Sequence, residues 1–422
     1  MSRTPTLWPL RLAMLLFVLG TAKYVERDDF HADDSVAQSV IEVSAVVVGT
    51  ILAFSSTVRW RTKLSIQAPY LLFLGSLALA VVFSFRSWDP LFSVAKGVLL
   101  MMISASTVAL LNRYGALSVI RSVVNASVIL IGFGLVAGLV APGQFPLILH
   151  DPGEEALRAR LHLFKIHPIA MADTSAICLI ASVALTGRWI RVCRFILLLC
   201  LLFTVARASI IVGLPLYAAA RVLSEKNLTY RLRRLGVIFA TFLLAIAAVV
   251  GVTTLTLGWS EVQDNGDVFL RITNATLDNL TLSGRTTLWS SLIADLSPQN
   301  IWGYGVGGAR HYLRTVNPWF SHSHNSALET IYMSGYLGLL ATVGAVGVAL
   351  HNCLARWAIP NARVFACTAS YILAVGMMNP SWYDASSLIM FSLLCSVPWT
   401  RLRSGERQTV QGEIRYASSF TH

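Results

Sequence analysis

Apolar stretches of about 18 to 22 residues, the length that crosses the hydrocarbon core of a bilayer, recur along the chain between short polar connections. The pattern predicts membrane-crossing helices at 7–22, 37–56, 66–85, 93–111, 122–141, 168–186, 195–206, 208–222, 236–257, 325–350, 363–378 and 386–399. One polar interruption is long, at 258–324, and it opens directly into an apolar helix beginning near Asn325. The expected fold class is all-α, a polytopic membrane helical bundle of about 12 transmembrane helices with a large outward loop. The expected organisation is an N-terminal transmembrane bundle over 1–257, the loop over 258–324, C-terminal transmembrane helices over 325–400 and a tail over 401–422. The first run reads as a retained span, because charged residues rather than a small-residue cleavage site follow Gly20.

Composition agrees with this reading, at 55% hydrophobic and 13% charged residues. Charge sharpens it. A net charge of +12 could suggest nucleic acid, but the basic residues fall on alternate connections. These hold Arg59, Arg61 and Lys63; Arg113 and Arg121; Arg188 to Arg194; Arg221 to Arg234; Arg356 and Arg363; and Arg401 to Arg407. The positive-inside rule places those connections and both termini in the cytoplasm and the 258–324 loop on the opposite side. The charge is therefore topological, and no nucleic-acid partner is implied. Basic connections at both ends of 195–222 also require that stretch to cross twice or dip and return, turning near Arg207. Six cysteines, Cys178, Cys193, Cys200, Cys353, Cys367 and Cys395, lie in or beside spans and imply no disulfide framework.

Three outward segments bear on chemistry. Residues 23–34 cluster acids without metal-loop spacing and read as a solvated loop. Residues 142–168 read as a Pro/Gly loop followed by a short amphipathic helix from about Glu154, which sets Arg158, Arg160 and Lys165 at the membrane surface. Either this is an interfacial helix with a basic face, or Arg160 turns toward the bundle to bind an anionic headgroup.

The 258–324 loop carries Arg271, Arg285, Arg310 and Arg314 but no lysine. Guanidinium offers planar bidentate donors suited to phosphate oxygens and stays charged at any working pH. The loop's acids form no Asp-x-Asp pair, and 264–267 lacks the later glutamate of a calcium loop. The glycines of 303–308 lack the Lys-Ser/Thr tail of a P-loop and read as a flexible turn rather than a phosphate cradle. His322 and His324 are two apart and cannot share a helical face, which argues against a metal pair. A histidine at the mouth of a span suits a general base near neutral pH, and Glu329, one turn further in, is expected to pair with a histidine or arginine there. Arg207 stands open between a snorkelling arginine at a hairpin tip and a cavity-facing charge that marks a site.

A family resemblance enters at these residues. His324-Asn325, nine residues, Gly335, two residues and Gly338 resemble the signature of the bacterial O-antigen ligase family, which also contains O-antigen and exopolysaccharide polymerases. Ser283-Gly284-Arg285-Thr286-Thr287-Leu288-Trp289 and Trp302-Gly303-Tyr304-Gly305-Val306-Gly307 resemble its Ser-Gly-Arg-x-x-x-Trp and Gly-x-Gly-x-Gly elements. Ala206-Arg207-Ala208 resembles its Ser-Arg-Gly hairpin with Ala in both flanking places. Residues 160–168 loosely resemble its Arg-x-x-Gly-x-Phe-x-x-Pro stretch, with Leu163 in place of Gly.

The resemblance implies a GT-C-like, metal-independent, inverting glycosyltransferase without cofactors. It would take a glycan from an undecaprenyl-diphosphate carrier at the periplasmic face of the bacterial inner membrane. His324 would be the catalytic base. Arg285, Arg207, Arg160, Arg271, Asn325 and Glu329 would bind substrate or orient the base, and Trp289, Trp302, Trp319 and Phe320 could serve as sugar platforms. The implied partners are the carrier-linked donor, a glycan or lipid A core acceptor, the lipid bilayer and other polysaccharide-export components. The forms Ser-Gly-Arg-Thr and His-Ser-His-Asn fit a polymerase of repeat units over a ligase that acts on lipid A core. A transporter or flippase of anionic lipids would also carry many spans and arginines, but the chain has no internal repeat and no matched pair of broken helices.

Overall fold

The computed structural model describes residues 7–20, 32–59, 66–87, 90–141, 148–150, 159–161, 168–204, 206–225, 285–296, 302–307, 323, 325–379, 382 and 385–397. Among them the helices are α1 (Trp8–Gly20), α2 (Ala32–Arg59), α3 (Ala68–Phe83), α4 (Pro90–Tyr114), α5 (Ala116–Val140), α6 (Pro168–Ala181), α7 (Arg188–Phe203), α8 (Arg207–Leu223), α9 (Arg285–Asp295), α10 (Ser326–Leu354), α11 (Pro360–Gly376) and α12 (Ala385–Ser396). Eleven of the apolar runs drawn from the sequence are thus helical, and the run at 236–257 lies outside the described residues. The stretch 195–222 does not form one long helix: it breaks at 204–206, and α8 starts at Arg207.

Among the described residues, four segments are long and apolar enough to cross a membrane by length and composition: Ala68–Arg86, Ser93–Tyr114, Ala116–Val140 and Ser326–Leu354. Shorter apolar helices of 10–17 residues accompany them. Large apolar side chains stay exposed on the bundle's exterior, among them Leu91, Phe85, Leu139 and Val140, as a lipid-facing surface requires.

The interior is held by aromatic stacking and small hydroxyls rather than by bulky cores alone. Phe73 of α3 stacks on Phe391 of α12 at 4.7 Å between centroids. α3 packs along α10, and between them Thr342 Oγ1 donates to Ser76 Oγ at 2.8 Å while Ser76 and Ser334 hydroxyls lie 3.5 Å apart. Ser104 and Ser392 join α4 to α12, and Thr174 and Ser386 join α6 to α12. Small residues let helix backbones approach closely, and their hydroxyls bond across the seam, which is how helices associate where lipid supplies no hydrophobic drive. All six cysteines are free and buried, as their places in the spans led us to expect.

The structure corrects the reading of residues 142–168. The amphipathic helix expected from about Glu154 is not what forms at Arg160. Ala159–Leu161 is a strand, β2, paired antiparallel with β1 (Ile148–His150), with Leu149 opposite Arg160. The reason is visible in the residues: Arg158, Arg160 and His162 alternate with Ala159, Leu161 and Leu163, a period of two that suits a strand and not a helix. Among the described residues the fold is helical with one antiparallel pair of short strands.

Candidate functional site

The site is built at the N-terminal mouth of α10. Asn325 is its N-cap in an extended conformation, and Oδ1 accepts from the backbone N–H groups of Ala327 and Leu328 at 2.9 and 3.1 Å. This satisfies two of the donors that every helix start leaves open. The other end of the same amide reaches α11, where Nδ2 donates to the Met377 carbonyl at 3.2 Å. Ser326 Oγ donates to the Asn379 carbonyl at 2.8 Å and accepts from Trp382 N–H at 3.2 Å. The mouth of α10 is therefore tied to the end of α11.

Ser323 is fully buried and holds the other side. Its N–H donates to Glu329 Oε2 at 3.2 Å, and its hydroxyl lies 3.0 Å from the same oxygen and 2.8 Å from the Asn325 carbonyl. Its carbonyl accepts from Trp289 Nε1 at 2.9 Å. Glu329 thus reaches back over the first turn, as the glutamate of a capping box does. The histidines and arginines expected beside it, His322, His324, Arg310 and Arg314, lie outside the described residues, but both chain neighbours of His324 are fixed in place.

Trp289 belongs to α9, whose first residue is Arg285. Leu288 and Leu292 of α9 pack on Leu328, Ile331 and Tyr332 of α10 as a small cluster of their own, and Tyr332 Oη donates to the α9 end at Asp295 Oδ2 (3.0 Å) or Leu292 O (3.1 Å). One helical turn, roughly 6 Å of rise, separates Arg285 from the tryptophan that touches Ser323. Of the expected sugar platforms, Trp289 is committed to this bond, Trp302 is about half exposed and tilted against Phe83, and Trp319 and Phe320 lie outside the described residues.

The glycine run at 303–307 is neither a phosphate cradle nor a loose turn. α10 contains a residue, Gly335, at φ 71° and ψ −176°, a backbone state open essentially to glycine alone. The break diverts the helix, and the carbonyls of Tyr332 and Met333 accept instead from Tyr304 and Gly305 N–H at 2.6 and 2.9 Å. A Cβ at Gly303 would lie 2.5 Å from Gly335 N, and one at Gly305 would collide with Ser84 Cα. Val306 is held in turn by the hydroxyls of Ser84 and Ser93. Backbone donors committed this way cannot also bind an anion.

Arg207 is the first residue of α8, following the N-cap Ala206; of Arg160, Arg207 and Arg285 the backbone alone is described, and Arg271 lies outside the described residues. Two residues beyond Arg207, the Ser209 hydroxyl donates to Oδ1 of Asp173 on α6, and Tyr371 Oη of α11 donates to the same oxygen at 2.9 Å. All three residues are fully buried. Tyr371 and Met377 sit on the same helix end, separated by roughly 9 Å of rise, so α11 connects the start of α8 to the mouth of α10. The strand carrying Arg160, β2, touches α7.

Asp173, Ser209 and Tyr371 were missed by sequence reasoning. The signal was present, since Asp173 is the one acid in the apolar run 168–186, where a carboxylate is expensive.

Residues 192–343 match the family model described as O-antigen ligase. The matched region begins inside α7 and ends inside α10. It takes in Arg207, Arg271, Arg285, His324, Asn325 and Glu329 and leaves Arg160 outside. A comparison with curated proteins gives no match. Together with the apolar helices, this match supports a multi-pass membrane enzyme that handles glycan.

Proposed function

We propose that this protein transfers glycan repeat units from an undecaprenyl-diphosphate carrier at the periplasmic face of the bacterial inner membrane. The observation that carries the reading is the bonding of Ser323 and Asn325 on either side of His324, inside the O-antigen ligase region. A base held at a helix mouth has the fixed position that proton abstraction needs.

In the proposed reaction His324 takes the proton of an acceptor hydroxyl. That oxygen forms a bond to the anomeric carbon as the bond from carbon to the carrier diphosphate breaks, with inversion. Arg207 and Arg285 neutralise the departing diphosphate, as preorganised charges do at other phosphoryl groups, so the step asks for no metal. Asn325 and Glu329 orient the base through the backbone of 323–325. Arg160 and Arg271 are secondary headgroup contacts. The large loop faces the periplasm and about 12 spans carry it.

Polymerisation of O-antigen or exopolysaccharide repeats is the favoured outcome, on the Ser-Gly-Arg-Thr and His-Ser-His-Asn forms. Ligation to lipid A core is the second reading, favoured by the description of the matching family. The experiment is single-turnover transfer in proteoliposomes with a carrier-linked repeat as donor, offering lipid A core and a second carrier-linked repeat as acceptors. Extension of the repeat, lost in His324→Ala and Arg285→Ala, supports the polymerase. Transfer to lipid A core alone makes the enzyme a ligase with the same site. No product from verified substrate, or full activity in His324→Ala, overturns the assignment and returns the transporter reading.

A further inference from the structure

The buried knot at Asp173 is not used by the reaction above, and its position asks for a reason. One carboxylate oxygen gathers the Ser209 hydroxyl of α8 and the Tyr371 hydroxyl of α11 onto α6. The carboxylate is fully buried, and a charge there is kept only where it is bonded and organises something. What it organises is the first turn of α8. Ser209 lies in the turn that Arg207 opens, and the positive end of the helix dipole favours an acid at that place. The third helix in the knot is α11, the same helix whose end accepts from Asn325 and Ser326 at the mouth of α10. The start of α8, which carries Arg207, and the mouth of α10, beside His324, are thus both bonded to one helix.

We infer that Asp173 is a positioning residue which, through Ser209 and Tyr371, fixes the start of α8 and with it Arg207 relative to the mouth of α10. The inference rests on the transfer reading for what Arg207 does, but not for whether Asp173 holds it.

Two measurements separate these. The first is a double-mutant cycle on single-turnover transfer in proteoliposomes, using Asp173→Asn, Arg207→Ala and the pair. Asp173→Asn should lower the rate by roughly tenfold, the scale of a coupling between groups in one network, with KM for the carrier-linked donor rising too. In the Arg207→Ala background it should cost nothing further. A loss that multiplies in the double variant makes Asp173 a general stabiliser and overturns the inference.

The second needs no activity. In a chain with its cysteines replaced, Arg207→Cys is labelled with a small thiol reagent, with and without Asp173→Asn. A several-fold faster labelling is expected, because the asparagine oxygen still accepts from Ser209 and Tyr371 but without the carboxylate charge that makes those bonds about twice as strong; an unchanged rate in both Asp173→Asn and Ser209→Ala overturns the inference. Ser209→Ala, which removes only the link from α8, stands in if Asp173→Asn does not fold. Absent transfer in the wild type, together with faster labelling in the variant, sinks the transfer reading and leaves the positioning role standing.

Discussion

The first turns of α10 are fixed at two places by opposite means. At the mouth the fixing groups are side chains: the Asn325 amide, the Ser326 and Ser323 hydroxyls, the Glu329 carboxylate and the Trp289 ring. At Gly335 they are backbone groups, with Tyr304 and Gly305 N–H supplying the carbonyls that the break leaves over. A side-chain network can be retuned one atom at a time, and its members can serve a reaction. A junction of two backbones in van der Waals contact has no such latitude. The difference separates the part of α10 that can carry chemistry from the part that sets its course.

The comparison breaks most sharply with Gly303→Ala. The added methyl meets backbone nitrogen of Gly335 and Ser334 at 2.5 and 2.8 Å, and the residue has φ 61°. Strain and overpacking each cost about 1–3 kcal/mol, so a loss of more than about 3 kcal/mol is expected, read as collapse of folded yield and melting temperature in detergent. A variant that melts like wild type would show that the junction tolerates side chains after all.

Asn325→Ala should cost about 1–2 kcal/mol, the usual worth of an N-cap, and Asn325→Asp should recover most of it, because the cap oxygen stays while the bond to Met377 goes. If Asp recovers none, the tie to α11 outweighs the cap. The smallest effect belongs to Trp289→Phe. It deletes one hydrogen bond while keeping most of the packing, so about 1 kcal/mol is expected, with melting nearly unchanged and transfer reduced by loosening Ser323. Equal losses of stability and transfer would place Trp289 in the scaffold alone.

Most of the helical skeleton was legible because each span is a local pattern. The start of α10 could be read from Asn325 before a run of apolar residues, and the break before α8 from charge parity around Arg207. The junction at Gly335 could not be read. The motif supplied the glycine as a letter, but its partners Tyr304 and Gly305 lie far upstream, and no periodicity links the two. The same holds for Ser323 and Trp289, which meet only after α9 docks. The hairpin at Arg160 was lost for a different reason: the alternation from Arg158 to Leu163 is short, and its cations were weighed as a surface rather than counted as a period. Asp173 was legible and passed over, since a lone acid in an apolar run is a stronger signal than any of the loop's scattered carboxylates.

The break at Gly335 also decides which part of α10 must answer to the bilayer. The helix beyond it, 336–354, rises roughly 28 Å, against a hydrocarbon core of about 30 Å. That portion can span unaided, and a thicker or thinner membrane is met by its tilt. Residues 326–334 are then not required for the crossing and take their direction from α9, α11 and the glycine junction. Swapping lipids of different chain length should then reorient the lower portion of α10 while the mouth stays put, which makes the geometry around His324 a property of the protein and not of the thickness of the membrane that holds it.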